Sequence, residues 1–410
     1  MTTRTSPRRS LGFTLIELMI ALLVGAVVIL SVVTVQGAFE SQRRTATSGT
    51  DLDSASAYAV GQLDGILRSA GAGFTQAYSQ TYGCKLYSNT GSLPAPTLAE
   101  PFSNVLSALG GNIRVAPVVI LPANTDSSQL WDSTSSSDVI MVMGGSGSGA
   151  NLQTQFSAAP SATDLYLQNT ASFAPNDVVL IMDATGAAGP ANCLVEQVAT
   201  GFVTGAGVTD LTLGGTYYST AALSPSTFTL QGAAVTIGNP TAYNYPNFQL
   251  IGVGANNQLT SYDLLNLTGS TPVTLADEVM EMHALYLISS STSASGFIGV
   301  DPSKTVSPGY TPSTLLAGTL AASTTINTIK AIRVGLILKS PLLEKTQVAS
   351  PTLTMFSDLV DASGAAMTYT RTITSTGSTC PGSGSQVNCE ANYRYRAVEL
   401  TIPLRNPLIY

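Results

Sequence analysis

The sequence predicts an α+β fold, with a long N-terminal helix packed on an antiparallel β-rich head that carries an inserted β module. Two observations predict it. An apolar run near the N-terminus passes into residues with helical spacing, and no proline lies between Pro7 and Pro94. Beyond residue 71, short apolar runs alternate with Gly, Ser, Pro and Asn, which is typical of strands joined by turns.

The composition excludes several classes of function. The 410 residues carry 17 Lys+Arg and 24 Asp+Glu, a formal net charge of −7, and only 10% are charged. Without a basic stripe the chain cannot neutralise a row of phosphates, so we expect no nucleic-acid partner. Its single histidine, His283, makes a His-based metal cage or a Ser/His/Asp relay hard to assemble. We therefore expect no catalytic residues, no metal and no cofactor.

The first helix is predicted over Phe13 to about Ser69, and residues 13–35 form its membrane-spanning part. At about 1.5 Å per residue, this segment crosses the roughly 30 Å hydrocarbon core of a bilayer. Three arginines precede this segment, namely Arg4, Arg8 and Arg9. Such residues are expected to stay in the cytoplasm, which places the head on the opposite side of the membrane. A cleaved secretory signal is the alternative, but no small-residue cleavage site follows a short apolar region.

The second part of the helix is predicted to pack on the head. One apolar stripe recurs at helical spacing along it: Leu52, Ala55, Ala59, Leu63, Ile66 and Leu67. Gly71 and Gly73 then predict the end of the helix.

Nine strands are predicted in the head. Six come first: Arg114–Leu121, Asp138–Met143, Asp177–Met182, Cys193–Val198, Val208–Leu213 and Phe248–Val253. Three later strands alternate more clearly and show one apolar face each: Met280–Ile288, Ile332–Leu338 and Val398–Leu404. On the first of these, Glu281 and His283 fall on the polar face, so His283 is expected at the surface. Pro403 predicts an edge strand or a strand end. The GGSGSG run at Gly144–Gly149 predicts a flexible hairpin tip.

Four cysteines fall on the exported side of the predicted membrane segment, where an even number favours two disulfides. Three connectivities are open, and we favour Cys84 with Cys193 and Cys380 with Cys389. The second pair would close a short Gly/Ser loop. Zinc is the alternative, but no CxxC spacing occurs.

Glu17 is out of place inside the apolar run, because an unpaired carboxylate near mid-bilayer costs about 2.5–3.5 kcal/mol. One interpretation is that Glu17 lies close enough to the membrane interface to reach water. The surrounding residues favour a second interpretation, a processing signal in which Glu17 has a specific role. The run GFTLIELMIALLVG after a basic leader resembles, almost residue by residue, the prepilin peptidase site of type IV pilins and type II secretion pseudopilins.

This resemblance implies a pilin-like fold, cleavage between Gly12 and Phe13 by prepilin peptidase, and N-methylation of Phe13. It also implies a docking role for Glu17, whose carboxylate would meet the N-terminal ammonium of a neighbouring subunit. Two charges that are both costly in lipid offset each other by pairing.

Six short segments, spread over most of the chain, resemble segments of the PilW group of minor pilins and occur in the same order. They are RSAGAGF, DVVLIMD, FQLIGVG, ADEVMEMHALYL, IKAIRVGLILKS and YRYRAVELTIPLRN. The resemblance implies a leader over residues 1–12, a spine helix over 13–70 and a head over 71–410. Within the head it implies a pilin core of about 71–110 and 275–410, with an inserted module of about 111–274.

The implied function is that of a structural minor pilin that helps to initiate a type IV pilus and lies in its tip complex. The expected partners are other minor pilins, the major pilin, a tip adhesin, prepilin peptidase and the inner-membrane assembly platform. The protein is expected in the inner membrane with a periplasmic head, and then in the extracellular pilus. The alternatives are a minor pseudopilin of type II secretion and an adhesin whose head binds a surface.

Overall fold

The structure is a computed structural model that describes most of the chain after residue 13. The described residues are 14–73, 78–88, 102, 105, 109, 112–123, 137–146, 152–184, 190–205, 207–221, 223–254, 256–265, 271–291, 296–303, 308–344, 347–373 and 390–404. The chain divides into two compact units, Met1–Asp51 and Leu52–Tyr410. The first unit contains the beginning of one long helix, and the second contains the rest of that helix and the head.

Helix α1 covers Leu15–Arg68, close to the predicted bounds. It ends where the sequence predicts, because Gly71 and Gly73 take φ angles of +77° and +84°, which glycine adopts without strain. Within the second unit the predicted stripe is confirmed. Its four buried members lie in the main core of the head: Leu52, Ala59, Leu63 and Leu67.

The α+β prediction is confirmed, since a β-rich head follows the helix. Among the described residues of the head, three short helices occur: α2 Tyr78–Thr81, α3 Pro312–Leu315 and α4 Leu320–Thr328. The strands are β1 Lys85–Ser88, β2 Val118–Leu121, β3 Val139–Gly144, β4 Thr154–Gln155, β5 Asp164–Tyr166, β6 Val178–Ala184, β7 Pro190–Gln197, β8 Asp210–Thr212, β9 Ala233–Gly238, β10 Asn247–Gly254, β11 Gln258–Asp263, β12 Val273–Ala276, β13 Val279–Ser289, β14 Phe297–Val300, β15 Ile329–Lys339, β16 Thr352–Met355, β17 Tyr369–Thr372 and β18 Tyr395–Pro403.

These strands form three larger sheets and two small ladders. The first sheet has the order β1-β7-β6-β9-β4, the second β12-β11-β10-β3-β2 and the third β14-β13-β15-β18. The ladders are β16-β17 and β5-β8. The pairing is antiparallel except between β1 and β7, which run parallel. All nine predicted strands have a counterpart, and β18 ends at Pro403 on a sheet edge, as predicted.

The third sheet corrects the prediction that its strands have one polar face. The predicted apolar faces of β13 and β15 do lie in the main core. The opposite face is also buried, because the segment around the β16–β17 hairpin covers it with Met355, Phe356, Leu359 and Met367. Gly335 permits this close approach, since a Cβ there would lie 2.6 Å from the Met355 Sδ atom.

The described part of the GGSGSG run corrects the prediction of a flexible tip. Gly144 ends β3 directly against the last turn of α1, where an added Cβ would lie 2.3 Å from the Ser69 carbonyl oxygen. Backbone hydrogen bonds fix the same junction, from Gly71 N to Met143 O at 2.8 Å and from Gly145 N to Ala72 O at 2.7 Å. Residues 147–149 lie outside the described residues. The two glycines are therefore packing residues.

Candidate functional site

Glu17 lies in the first turn of α1 and closes a capping box with Thr14. The backbone N–H and the hydroxyl of Thr14 both donate to Glu17 Oε2 at 3.0 Å, and Glu17 N donates to the Thr14 hydroxyl at 3.4 Å. A carboxylate here also interacts favourably with the positive end of the helix dipole. Among the described residues, nothing donates to the other carboxylate oxygen, Oε1. The T-x-x-E spacing of Thr14 and Glu17 is the sequence signal for this cap.

The first part of α1 presents an apolar surface on all sides. The large apolar side chains of residues 15–35 are 47–78% exposed, which is far more than a water-soluble helix tolerates. The two hydroxyl side chains in this segment bond within the helix, from Ser31 to Val28 O at 2.7 Å and from Thr34 to Ser31 O at 2.8 Å. Such internal pairing is what a lipid environment requires. Among the described helices, only α1 is long and apolar enough to cross a membrane.

The processing residues Gly12 and Phe13 lie outside the described residues. So does the proposed pair Cys380 and Cys389. The structure does join Cys84 to Cys193, with Cα atoms 5.6 Å apart. Cys84 precedes β1 and Cys193 lies in β7, so the bond reinforces the parallel pairing of these two strands.

The prediction that His283 lies at the surface is wrong. The side chain is buried under the β16–β17 hairpin, where its ring stacks on Tyr369 with centroids 3.9 Å apart. Its Nδ1 lies 3.9 Å from Asp138 Oδ2, and its Nε2 lies 3.6 Å from Glu281 Oε2. The periodicity of β13 suggested a polar face, but the continuous apolar run ALYLI in the same strand is a signal that both faces are buried.

Two buried carboxylates flank this histidine, and their surroundings affect them differently. Burial raises the pKa of Asp138, although its contact with His283 and hydrogen bonds from Ala123 N and Ala284 N oppose this. Burial also disfavours the Glu281 carboxylate, but contacts with His283, Arg371 and Tyr369 outweigh it, so its pKa is lowered.

The cluster joins elements that are distant in sequence. Arg371 of β17 donates to Glu281 at 2.5 Å and to Glu390 at 2.8 Å, and the Tyr369 hydroxyl donates to Glu281 at 3.0 Å. The phenol that contacts the histidine is thus a donor to a carboxylate, with its pKa raised by burial and by Glu281. This arrangement fixes the hairpin on the third sheet. Within the described residues, no group of three or more His, Cys, Asp or Glu side chains is placed to hold a metal ion.

Glu196 is a titratable residue that the sequence analysis missed. It lies in β7 between Leu194 and Val198, which belong to a second apolar core. The side chain is fully buried, and among the described residues its Oε2 accepts only the Ser219 N–H, at 3.2 Å. Burial raises its pKa to about 8, so it is mainly protonated at neutral pH. A lone acid inside the apolar run CLVEQV is the sequence signal for it.

Comparison with known proteins finds one match, at the N-terminus. Residues 7–33 match the family model of the prokaryotic N-terminal methylation motif. No curated protein matches the chain, and no solved structure matches it. The matched segment contains Gly12, Phe13 and Glu17, and it begins the apolar part of α1. The finding supports a membrane-anchored, type IV pilin-like structural protein that prepilin peptidase processes and that assembles with other pilins.

Proposed function

We propose that this chain is a structural minor pilin of the PilW type, which helps to initiate a type IV pilus and lies in its tip complex. The observation that carries the proposal is the first part of α1, an apolar surface exposed on all sides that begins at a prepilin-type signal. Such a surface needs lipid before assembly and the helices of neighbouring subunits after it.

The proposed maturation is cleavage between Gly12 and Phe13 followed by N-methylation of Phe13. Before assembly, residues 13–35 span the inner membrane once and the head is periplasmic. In the filament, the Glu17 carboxylate meets the Phe13 ammonium of a neighbouring subunit. The capping box leaves one carboxylate oxygen for this contact, because both Thr14 donors engage only Oε2.

The size of the head supports a position at the tip. A subunit inside a filament must fit between neighbours above, below and beside it, whereas a tip subunit has neighbours on one side only. We propose a pilin core of about 71–110 and 275–410, with an inserted module of about 111–274. The third sheet uses only residues 279–403, which supports a boundary near residue 275, whereas β1 of the proposed core pairs with β7 of the proposed module.

Mass spectrometry of the exported protein tests the maturation step. We expect a chain that begins at methylated Phe13. An intact Met1, or cleavage at another position, would contradict the proposal.

Two matched substitutions separate docking from capping at Glu17. Glu17→Gln keeps an oxygen that can accept the Thr14 hydrogen bonds but removes the charge, and Thr14→Val removes the hydroxyl but keeps the carboxylate. If charge pairing drives docking, Glu17→Gln reduces incorporation into pili and Thr14→Val does not. The opposite result would make Glu17 a helix cap only.

A gene deletion separates a pilus from a secretion system, which use the same N-terminal signal. We expect loss of surface pili and twitching motility. Failed export of secreted enzymes with intact pili would instead identify a type II secretion pseudopilin. Pull-down with candidate minor pilins tests the proposed partners.

A further inference from the structure

The hairpin that covers the outer face of the third sheet is scarcely joined to it through the backbone. We name residues 352–372, from the start of β16 to the end of β17, the strap. Among the described strands, β16 and β17 pair only with each other. Among the described residues, a single backbone hydrogen bond joins the strap to the rest of the head, from Gly299 N to Val360 O at 2.9 Å. A two-stranded hairpin is at best marginally stable by itself in water, so the strap depends on its side-chain contacts with the sheet.

The two faces of the strap have different chemistry. Its outer face carries four exposed threonines in two cross-strand pairs, Thr352 with Thr372 and Thr354 with Thr370. Its inner side and the sheet together form a separate apolar cluster. The strap supplies Met355, Phe356, Leu359 and Met367, and the sheet supplies Leu285, Leu287, Ala331 and Ile337. Removal of the strap would therefore replace a threonine surface with an apolar sheet face.

The backbone of Phe356 is strained while the strap covers the sheet. Its φ angle is +62°, a left-handed conformation that a bulky residue rarely adopts. The buried ring lies against Gly335 of β15, where an added Cβ would be 2.9 Å from the ring. Strain of this kind persists only where surrounding contacts enforce it, so opening of the strap would release it.

One buried ion pair holds the strap on the sheet. Arg371 of the strap donates to Glu281 of β13 at 2.5 Å, and the Tyr369 hydroxyl donates to the same carboxylate at 3.0 Å. The Glu281 side chain is only 2% exposed, so the strap buries this charge and also supplies a cation for it. A second ion pair, between Arg333 and Asp358, contributes little because the Asp358 side chain is 62% exposed.

We propose that the strap opens as a unit while the three larger sheets stay folded, and that the ion pair between Glu281 and Arg371 is the latch that sets how often it opens. Such local opening costs less free energy than global unfolding, because it exposes only one small apolar cluster. The device switches one surface of the head between a threonine face and an apolar face. It does not rest on the proposed pilus function.

Amide hydrogen exchange of the full-length protein in detergent micelles, measured by mass spectrometry of its peptides, tests the proposal. We expect the amides that bond across the β16–β17 ladder to exchange at least roughly tenfold faster than those of β10 and β15, which lie inside the second and third sheets. The only histidine of the chain gives a second readout. The His283 ring stacks on Tyr369 with centroids 3.9 Å apart, so the NMR signal of ¹³C-labelled His283 carries a ring-current shift that opening removes.

A pair of substitutions tests the latch. Arg371→Met leaves the Glu281 carboxylate buried without this cation, so it should speed exchange of the strap amides roughly 10–100-fold and leave those of β10 unchanged. Adding Glu281→Gln removes the buried charge and should reverse most of this effect, which simple loss of packing would not allow. Asp64→Asn breaks the ion pair with Arg68 on α1 and is the matched control.

A third substitution tests the packing of the strap without changing a charge. Gly335→Ala places a Cβ that would lie 2.6 Å from Met355 Sδ, so it should speed exchange of the strap amides and shift the His283 signal. Gly254→Ala is the matched control in another strand, because its Cβ would make an ordinary contact of 3.8 Å with the Gln258 carbonyl oxygen. Arg371→Met decides the matter if Gly335→Ala does not fold.

The proposal would be overturned in any of three ways. Strap amides that exchange no faster than those of β10 in the wild type would show that the strap opens only with the whole head. Equal acceleration of all sheets by Arg371→Met would make the ion pair part of the general core. Acceleration that Glu281→Gln does not reverse would exclude the latch. Because assembly is not involved, these outcomes are independent of the proposed pilus function.

Discussion

Replacing Glu196 with glutamine should remove a large part of the pH dependence of folding stability. The folded chain holds this carboxyl group in the second apolar core, with one hydrogen bond from Ser219 N. Burial raises its pKa from 4.5 to about 8. Below pH 4.5 the acid is protonated in both the folded and the unfolded chain, so it makes no contribution that varies with pH.

Between these two pH values the unfolded chain loses the proton and the folded chain keeps it. The free energy of unfolding therefore falls as pH rises, by about 1.4 kcal/mol per pH unit for one such group. From pH 4.5 to about 8 the total loss is about 3–5 kcal/mol. Glutamine stays neutral at every pH, so Glu196→Gln should be the more stable protein at about pH 8 and close to the wild type at about pH 5.

Urea unfolding of the full-length protein in detergent micelles measures this difference, with far-UV circular dichroism as the readout. Comparison with Glu196→Gln at each pH cancels the contributions of the other acids, including Asp138 and Asp177, whose pKa values burial also raises. Asp210→Asn changes an exposed carboxylate on β8 and is the matched control. A difference between wild type and Glu196→Gln that stays constant from pH 5 to 8, or that favours the wild type as pH rises, would refute the reasoning.

Four further substitutions, of which Gly61→Ala is a control, test the packing and the disulfide of the head by chemical unfolding. Gly144→Ala should destabilise the protein by about 2–4 kcal/mol, because its Cβ would meet the Ser69 carbonyl, whereas Gly61→Ala, in an open helical position, should stabilise it by about 0.5–1 kcal/mol; equal effects would contradict the close contact. His283→Gln should lower the free energy of unfolding by about 1–3 kcal/mol, because the histidine is buried between carboxylates. A change within about 0.5 kcal/mol would indicate a surface position and contradict this burial. Cys84→Ser should cost up to about 4–5 kcal/mol, since the disulfide closes a loop between residues 109 positions apart, and the same stability as the oxidised wild type would exclude this role.

The sequence alone determined the features that depend on local pattern. Residues 13–35 predict a membrane helix, because such a helix needs one continuous apolar segment and this can be seen in the sequence. The end of α1 was predictable because Gly71 and Gly73 adopt positive φ readily. Alternation of apolar and polar residues predicted the later strands. The charge of Glu17 in an apolar run indicated the prepilin-type signal, and this segment matches the N-terminal methylation motif.

The tertiary structure decided what covers each surface, since this depends on segments that are distant along the chain. The alternation in β13 placed His283 on a polar face of the strand. It could not show that Arg371 and Tyr369, nearly 90 residues later in the chain, cover this face. Gly144 begins a Gly/Ser run with the composition of a flexible turn. Only its contact with Ser69 shows that no larger residue fits there.

The same distinction applies to the titratable and polar groups of the head. Glu196 has an ordinary carboxyl group in the unfolded chain, and its pKa is raised because folding buries it away from water. Asn247 and Gln249 become acceptors without donors only when β10 packs beside the end of α1. A sequence specifies which groups a chain carries, whereas burial and missing partners are properties of the space that the folded chain encloses.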